Sequence, residues 1–156
     1  MCLKELFSRP RMLSWELARQ KERLAVLRAA CTSVTAGLRA GGRGSHSGGD
    51  RLADLGDQEA ACRALRKELE QAERERDAFL ERVRQELGLC PWMMLTLREA
   101  RGKTWVETVE RARAVYGPVS LPTVKKWHKE ALAQAEKLGE DTKKPPSDEG
   151  GGTAKP

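Results

Sequence analysis

Two stretches of the chain repeat apolar residues at alternating steps of three and four, and a glycine-rich run separates them. In the first, residues 11 to 38, the positions are Leu13, Leu17, Leu24, Leu27, Cys31, Val34 and Leu38, with a polar gap at Gln20. In the second, residues 51 to 88, they are Leu55, Cys62, Leu65, Leu69, Ala72, Phe79 and Val83, interrupted by Gln58 and Arg76. That alternation keeps one narrow apolar stripe on one side of a helix. The run between them, RAGGRGSHSGGD at 39–50, is glycine-rich and polar and is expected to be a connector that holds no helix. Residues 1–88 are therefore expected to fold back as an antiparallel coiled-coil helical hairpin with its loop at 39–50. A single hairpin buries little, so it is expected to self-associate or to dock onto the next segment.

Composition agrees with long helices more than with a thick core. Charged residues make up 33% of the 156 and aromatics only 4%. Within the second seam lies ELEQAERERD, a mixed-charge run that reads as a solvated helix face. The formal net charge of +6 raises the case for a nucleic-acid partner. Cys2, Cys31, Cys62 and Cys90 stand far apart without a C-x-x-C, and there are only two histidines, so neither a zinc site nor a disulfide framework is expected. MCLKELFSRPRML lacks the apolar core of a signal peptide, and no apolar run is long enough to span a bilayer. A soluble, cytoplasmic protein with free thiols and no membrane partner is expected.

The C-terminal half carries sharper punctuation. Gly88 is placed to end the second helix, and Pro91 suits the first turn of a new one, which runs through WMMLTLREAR and stops near Gly102. Thr104 and Glu107 form a T-x-x-E capping box, so a helix starts at about Trp105. Its expected buried stripe is Val106, Val109 and Ala112, with Val115 or Tyr116 completing it. Gly117 and Pro118 end it, Ser120 caps the next helix, and Pro122 is tolerated in that helix's first turn. There Val124, Trp127 and Ala131 face inward, flanked by Leu132, which leaves Thr123, Lys125, Lys126 and Lys129 outward. Trp127 is expected to be core and His128 a surface residue. Lysines in the early turns oppose the helix dipole, and an anionic ligand would offset that cost. Residues 139–156, GEDTKKPPSDEGGGTAKP, have almost no apolar content and are expected to be a disordered tail.

Helix, short turn, basic helix is the layout of a helix-turn-helix, whose second helix enters the major groove of DNA. The segment LREARGKTWVETVERA…GPVSLPTVKKWHKEAL resembles the helix-turn-helix of sigma-factor conserved region four. Gly102, Thr104, Trp105 and Glu107 match the start of that pattern, and Gly117, Ser120, Thr123, Val124, His128, Ala131 and Leu132 match its second half. The turn GPVS is one residue longer than usual, and Pro122 stands where a polar or basic residue is common. The whole layout also resembles small phage and prophage regulators of the ArpU and RinA types. The resemblance implies an all-α protein in which a hairpin (1–88) precedes a DNA-binding helix-turn-helix (89–138). It implies duplex DNA as ligand, with Thr123, Lys125, Lys126 and Lys129 against it, and Lys103 and Thr104 at a helix N-terminus able to hold a phosphate. RNA polymerase is a candidate partner for the hairpin, and a homo-oligomer is expected through the coiled coil.

Two other classes fit the same pattern. A small terminase-like DNA-packaging subunit would join similar parts in a ring, and a coiled-coil protein-interaction module would bind no DNA. An enzyme is not expected. Paired carboxylates, a nucleophile motif, a P-loop and a metal cluster are all missing from the sequence, and no cofactor is implied.

Overall fold

The computed structural model describes residues 2–39 and 47–141, with side chains described over 2–32 and 50–140. Among them the protein is all-α. The helices are α1 (Leu3–Arg39), α2 (Ser47–Glu86), α3 (Leu89–Leu95), α4 (Trp105–Tyr116) and α5 (Leu121–Asp141), and a π-helical turn (Thr96–Ala100) continues α3. None of the helices described is long and apolar enough to cross a membrane. The fold divides into two compact units. One is Leu6–Glu75; the other is Met1–Glu5 together with the chain from Arg76 onward. The division falls inside α2, upstream of the 88/89 boundary expected from Gly88, because the last turns of α2 supply Leu80 and Val83 to the second core.

In the first unit, α1 and α2 lie side by side in opposite directions. Arg9 pairs with Glu75 at 3.8 Å, and Arg28 pairs with Glu59 at 2.9 Å, so low numbers on one helix meet high numbers on the other. Burial follows the two seams. Leu6, Phe7, Leu17, Leu24 and Ala72 are buried, and Leu13, Leu27, Leu55, Cys62, Leu65 and Leu69 are half-buried. One polar gap of each seam meets the other; Arg76, the second gap on α2, belongs to the other unit. Gln58 Nε2 donates to the Gln20 side-chain carbonyl, and also to its main-chain carbonyl at 3.3 Å. A single polar layer in an apolar seam fixes register, because any slip would leave both amides facing hydrocarbon.

Three boundaries differ from expectation. Helix α1 begins at Leu3, eight residues before the seam suggests, and carries Pro10 within it. Pro10 lacks the N–H that would reach the Leu6 carbonyl, yet the residue itself is buried; apolar packing by Leu6, Phe7 and Pro10 offsets the missing bond. Helix α2 starts at Ser47, so residues 47–50 of the glycine-rich run are helical, with Asp50 in the first turn where its charge suits the dipole. The first turn makes few intrahelical N–H bonds, which limits the penalty of glycine there. The rest of the expected loop, 40–46, lies outside the described residues. Helix α5 runs through 139–141, because Leu138 is buried and extends the inward stripe. The remainder of the expected tail, 142–156, lies outside the described residues.

The second unit packs α3, α4 and α5 together. Gly88, at φ 94°, closes α2 and opens α3, and its N–H bonds back to the Val83 carbonyl. Val83, Met94, Leu95, Ala112, Val124 and Ala135 are fully buried. Helix α4 has the expected capping box at Thr104 and Glu107, and Gly117 ends it at φ 82°. Its buried stripe differs from expectation. Val109 and Ala112 are buried, but Val106 is 68% exposed and Thr108 takes its place in the core. Thr108 tolerates burial because its hydroxyl donates to the Thr104 carbonyl at 2.7 Å. Val115 and Tyr116 both remain exposed, although the Tyr116 ring meets Trp127 edge-on at 5.5 Å.

Candidate nucleic-acid interface

Acidic and basic residues nearly balance along residues 89–141, so any anion-binding surface must arise from placement. Helix α5 provides that placement. Ser120 Oγ lies 2.9 Å from Thr123 Oγ1 and 3.4 Å from the Thr123 nitrogen, which starts the helix at Leu121. Arg113 Nε donates to the Val119 carbonyl at 3.0 Å and holds the turn between α4 and α5. Val124, Ala131 and Ala135 are buried, which fixes the helix's rotation. Lys125, Lys126 and Lys129 are consequently exposed on the opposite side, while Thr123 is half-buried at its edge. Lys125 and Lys129 stand one turn apart, and Lys126 adjoins them. Lys126 meets Glu130 only at 3.9 Å, both side chains being well exposed. A pair of that kind leaves the ammonium available to other anions.

Lys103 and Thr104 are placed differently. Thr104 caps α4: its hydroxyl accepts from the Glu107 N–H at 3.3 Å and donates to Glu107 Oε2 at 2.9 Å. The Thr104 N–H donates to the same carboxylate oxygen at 2.8 Å. Lys103 Nζ reaches Glu107 Oε1 at 2.8 Å. The Lys103 ammonium, with the two Thr104 donors, holds the Glu107 carboxyl well below the usual range, at about 2. The N-terminus of α4 is thus already occupied by the protein's own carboxylate. A phosphate would have to displace Glu107 to use Lys103 or Thr104.

A residue not singled out from the sequence as part of the site lies at its centre. Trp105, the first residue of α4, has the Arg98 guanidinium 4.0 Å from its ring centroid and the Lys125 ammonium 5.6 Å away. Arg98 also donates to the Lys103 carbonyl. The His128 ring meets Trp105 edge-on, at 5.4 Å and 86°, and His128 Nε2 lies 2.9 Å from Glu99 Oε1. His128 is therefore not the surface residue expected from sequence; its side chain is only 14% exposed. Trp105 and His128 tie the π-helical turn, α4 and α5 to one another, and they draw the two cations, Arg98 and Lys125, to one ring. The π-helical turn contributes as well. It hands the Arg101 N–H to the Thr96 carbonyl at 2.9 Å, a wider turn than α-helix allows, and it carries both Arg98 and Glu99.

The six expected positions thus separate into two groups. Lys125, Lys126 and Lys129, with Thr123 at the margin, share the outward face of α5. Lys103 and Thr104 belong to the cap of α4. Signals for Trp105 and His128 were present in the sequence, since both are letters of the sigma-like pattern, but nothing in their spacing indicated that they touch.

No family model, curated protein or solved structure matches the chain.

Proposed function

We propose that this protein binds duplex DNA, with α4 and α5 acting as a sigma-like helix-turn-helix and α5 as the helix that enters the major groove. The observation that carries the reading is the outward face of α5, where Lys125, Lys126 and Lys129 project from the early turns while Val124 and Ala131 anchor the other side. Lys125 and Lys126, in the second turn of α5, gain nothing from the helix dipole, and all three lysines become favourable against phosphates. Trp105 steadies this face from behind and sets Lys125 beside Arg98. The role is that of a transcription regulator of the phage type that the sequence resembles. The paired α1 and α2 serve as a coiled-coil hairpin for self-association and for a partner such as RNA polymerase, with two copies presenting two DNA-reading helices to paired half-sites.

The test is binding to random-sequence duplex DNA at several salt concentrations, with Lys125→Ala/Lys126→Ala in parallel. Micromolar binding that weakens steeply with salt is expected. Each phosphate contact contributes about 0.9 to the slope of log affinity against log salt, so the double variant should flatten it by up to about 1.8. Absence of binding at low salt would overturn the reading and favour a protein-interaction module.

A further inference from the structure

Helix α1 carries a second stripe that its pairing with α2 does not use. Met12, Trp15 and Val26 are 69%, 67% and 70% exposed. Together with Arg19, Glu22 and Ala29, all exposed, they repeat at alternating steps of three and four: 12, 15, 19, 22, 26, 29. This is a heptad stripe in its own right, on the side of α1 away from the seam at 13, 17, 20, 24 and 27. A tryptophan two-thirds exposed in mid-helix has little reason to be there in a lone chain. Its covering is slight: Arg19 lies 5.8 Å from the ring centroid and also reaches Glu16 at 3.7 Å, an exposed contact of small worth.

The stripe is complementary to itself when reversed. Set two copies antiparallel, with a two-fold axis between positions 20 and 21. Arg19 of one copy then faces Glu22 of the other, and Glu22 faces Arg19. Trp15 faces Val26, and Met12 faces Ala29. Each of these contacts occurs twice, as an isologous interface requires. A parallel arrangement would instead oppose Arg19 to Arg19 and Glu22 to Glu22, two repulsive layers. We infer that a second copy of this chain docks antiparallel on the outer face of α1, with Trp15 as the anchor and the Arg19–Glu22 pairs setting the register. This rests on the self-association proposed above, names its face, and is independent of DNA binding. The stripe from Met12 to Ala29 is about 26 Å long at 1.5 Å per residue. That suits an interface near the lower size limit of specific ones, about 1,000 Å², so a micromolar dimer is expected.

Sedimentation equilibrium of the full chain tests it, with circular dichroism confirming helicity for every variant. The wild type should be a concentration-dependent dimer. Trp15→Glu should weaken dimerisation by at least about tenfold, a loss of about 1.4 kcal/mol or more, without changing helicity. Arg19→Glu and Glu22→Arg should each weaken their own homodimer, because each places like charges across the axis. Mixing the two variant chains should yield a heterodimer tighter than either homodimer, since every crossing pair is then opposite in charge. That preference, read by native mass spectrometry, cannot come from a general loss of helix stability, and the weakening of each variant homodimer relative to the wild type separates the antiparallel register from a parallel one. A dimer indifferent to positions 15, 19 and 22, or a mixture with no heterodimer preference, overturns this face while leaving self-association standing. A wild-type monomer at every concentration, or a ring of many copies, overturns both this face and the hairpin dimer, whatever the DNA titration shows.

Discussion

The two units of this protein reach stability by different routes. In Leu6–Glu75 a pair of long helices shares one narrow seam, and most seam residues remain half-exposed. In the second unit the helices are shorter, yet Met94, Leu95, Val83, Val124 and Thr108 are wholly enclosed. A seam accumulates small increments along its length, whereas a core closed by several helices concentrates burial in a few side chains. The first arrangement spreads its stability over many layers and leaves its register to the Gln20–Gln58 pair. The second holds a surface at fixed geometry, which is what a row of lysines needs if it is to meet a regular polyanion.

The largest predicted effect tests this contrast directly. Leu95→Ala removes a fully buried side chain from the second unit and should destabilise it by about 3 to 5 kcal/mol. Leu65→Ala, at a half-buried position of the seam in the first, should fall nearer about 2 kcal/mol, because water and neighbouring side chains can fill the gap. Urea unfolding followed by circular dichroism separates them. Equal losses would mean that the seam is as closed as the core and that the contrast is wrong.

The next effect concerns register. Gln58→Leu alone should destabilise the first unit by about 1 kcal/mol, since it strips the Gln20 side-chain carbonyl of its donor and leaves Gln20 only its bond to Glu16. Gln20→Leu/Gln58→Leu should recover that loss or exceed it, while allowing the helices to slip. A double variant less stable than the single would show that the amide pair contributes through its own bonding and not through specificity.

What could be read from the sequence follows the same division. The seams of α1 and α2 were legible over the described residues because a single period governs them, and even the gaps at Gln20 and Gln58 marked a layer where polar groups meet. The cap at Thr104 and Glu107 was legible because its chemistry is local. The limits of α1 and α2 were not. Pro10 and the glycines at 48–49 argue against helix by propensity; around Pro10 the burial of Leu6 and Phe7 outweighs it, while the α2 glycines fall in a first turn that makes few intrahelical N–H bonds. The choice of Thr108 over Val106 for the core was also hidden, because polarity suggests exposure until its bond to the Thr104 carbonyl is known. For the candidate interface, periodicity sufficed to put Lys125, Lys126 and Lys129 outward. It could not reveal that Lys103 is already paired with Glu107, or that Trp105 gathers Arg98, Lys125 and His128, since those contacts join residues brought together only by the packing of three helices.

A smaller effect probes the cap. Glu107 has its folded-state pKa lowered to about 2 from an ordinary 4.5, chiefly by Lys103 and then by Thr104. A lowered carboxyl contributes stability that is present above the ordinary value and lost as pH falls toward the folded one. Thermal melts between pH 5 and pH 2 should therefore show the second unit weakening across that window, and Glu107→Gln should remove part of the slope. Thr104→Ala should cost about 1 kcal/mol at neutral pH as the cap is lost. A Glu107→Gln variant with an unchanged pH slope would show that the cap carries no linkage.

The smallest predicted change in stability belongs to the residues on which the proposed function depends. Lys125→Ala/Lys126→Ala should shift unfolding by less than about 0.5 kcal/mol, as exposed substitutions usually do. The sign of the shift is informative. Lys126 gives up a 3.9 Å contact with Glu130, and Lys125 gives up a ring contact for which Arg98, at 4.0 Å, is the nearer cation. Both losses are slight, while removing positive charge from the early turns of α5 relieves its unfavourable position on the helix dipole. The double variant should thus be as stable as the parent or marginally more so. If it also loses affinity for DNA and flattens the salt dependence, the loss cannot be ascribed to unfolding, and the lysines are retained for the ligand they meet. A clear fall in melting temperature would reverse that conclusion, making these lysines part of what holds the second unit together.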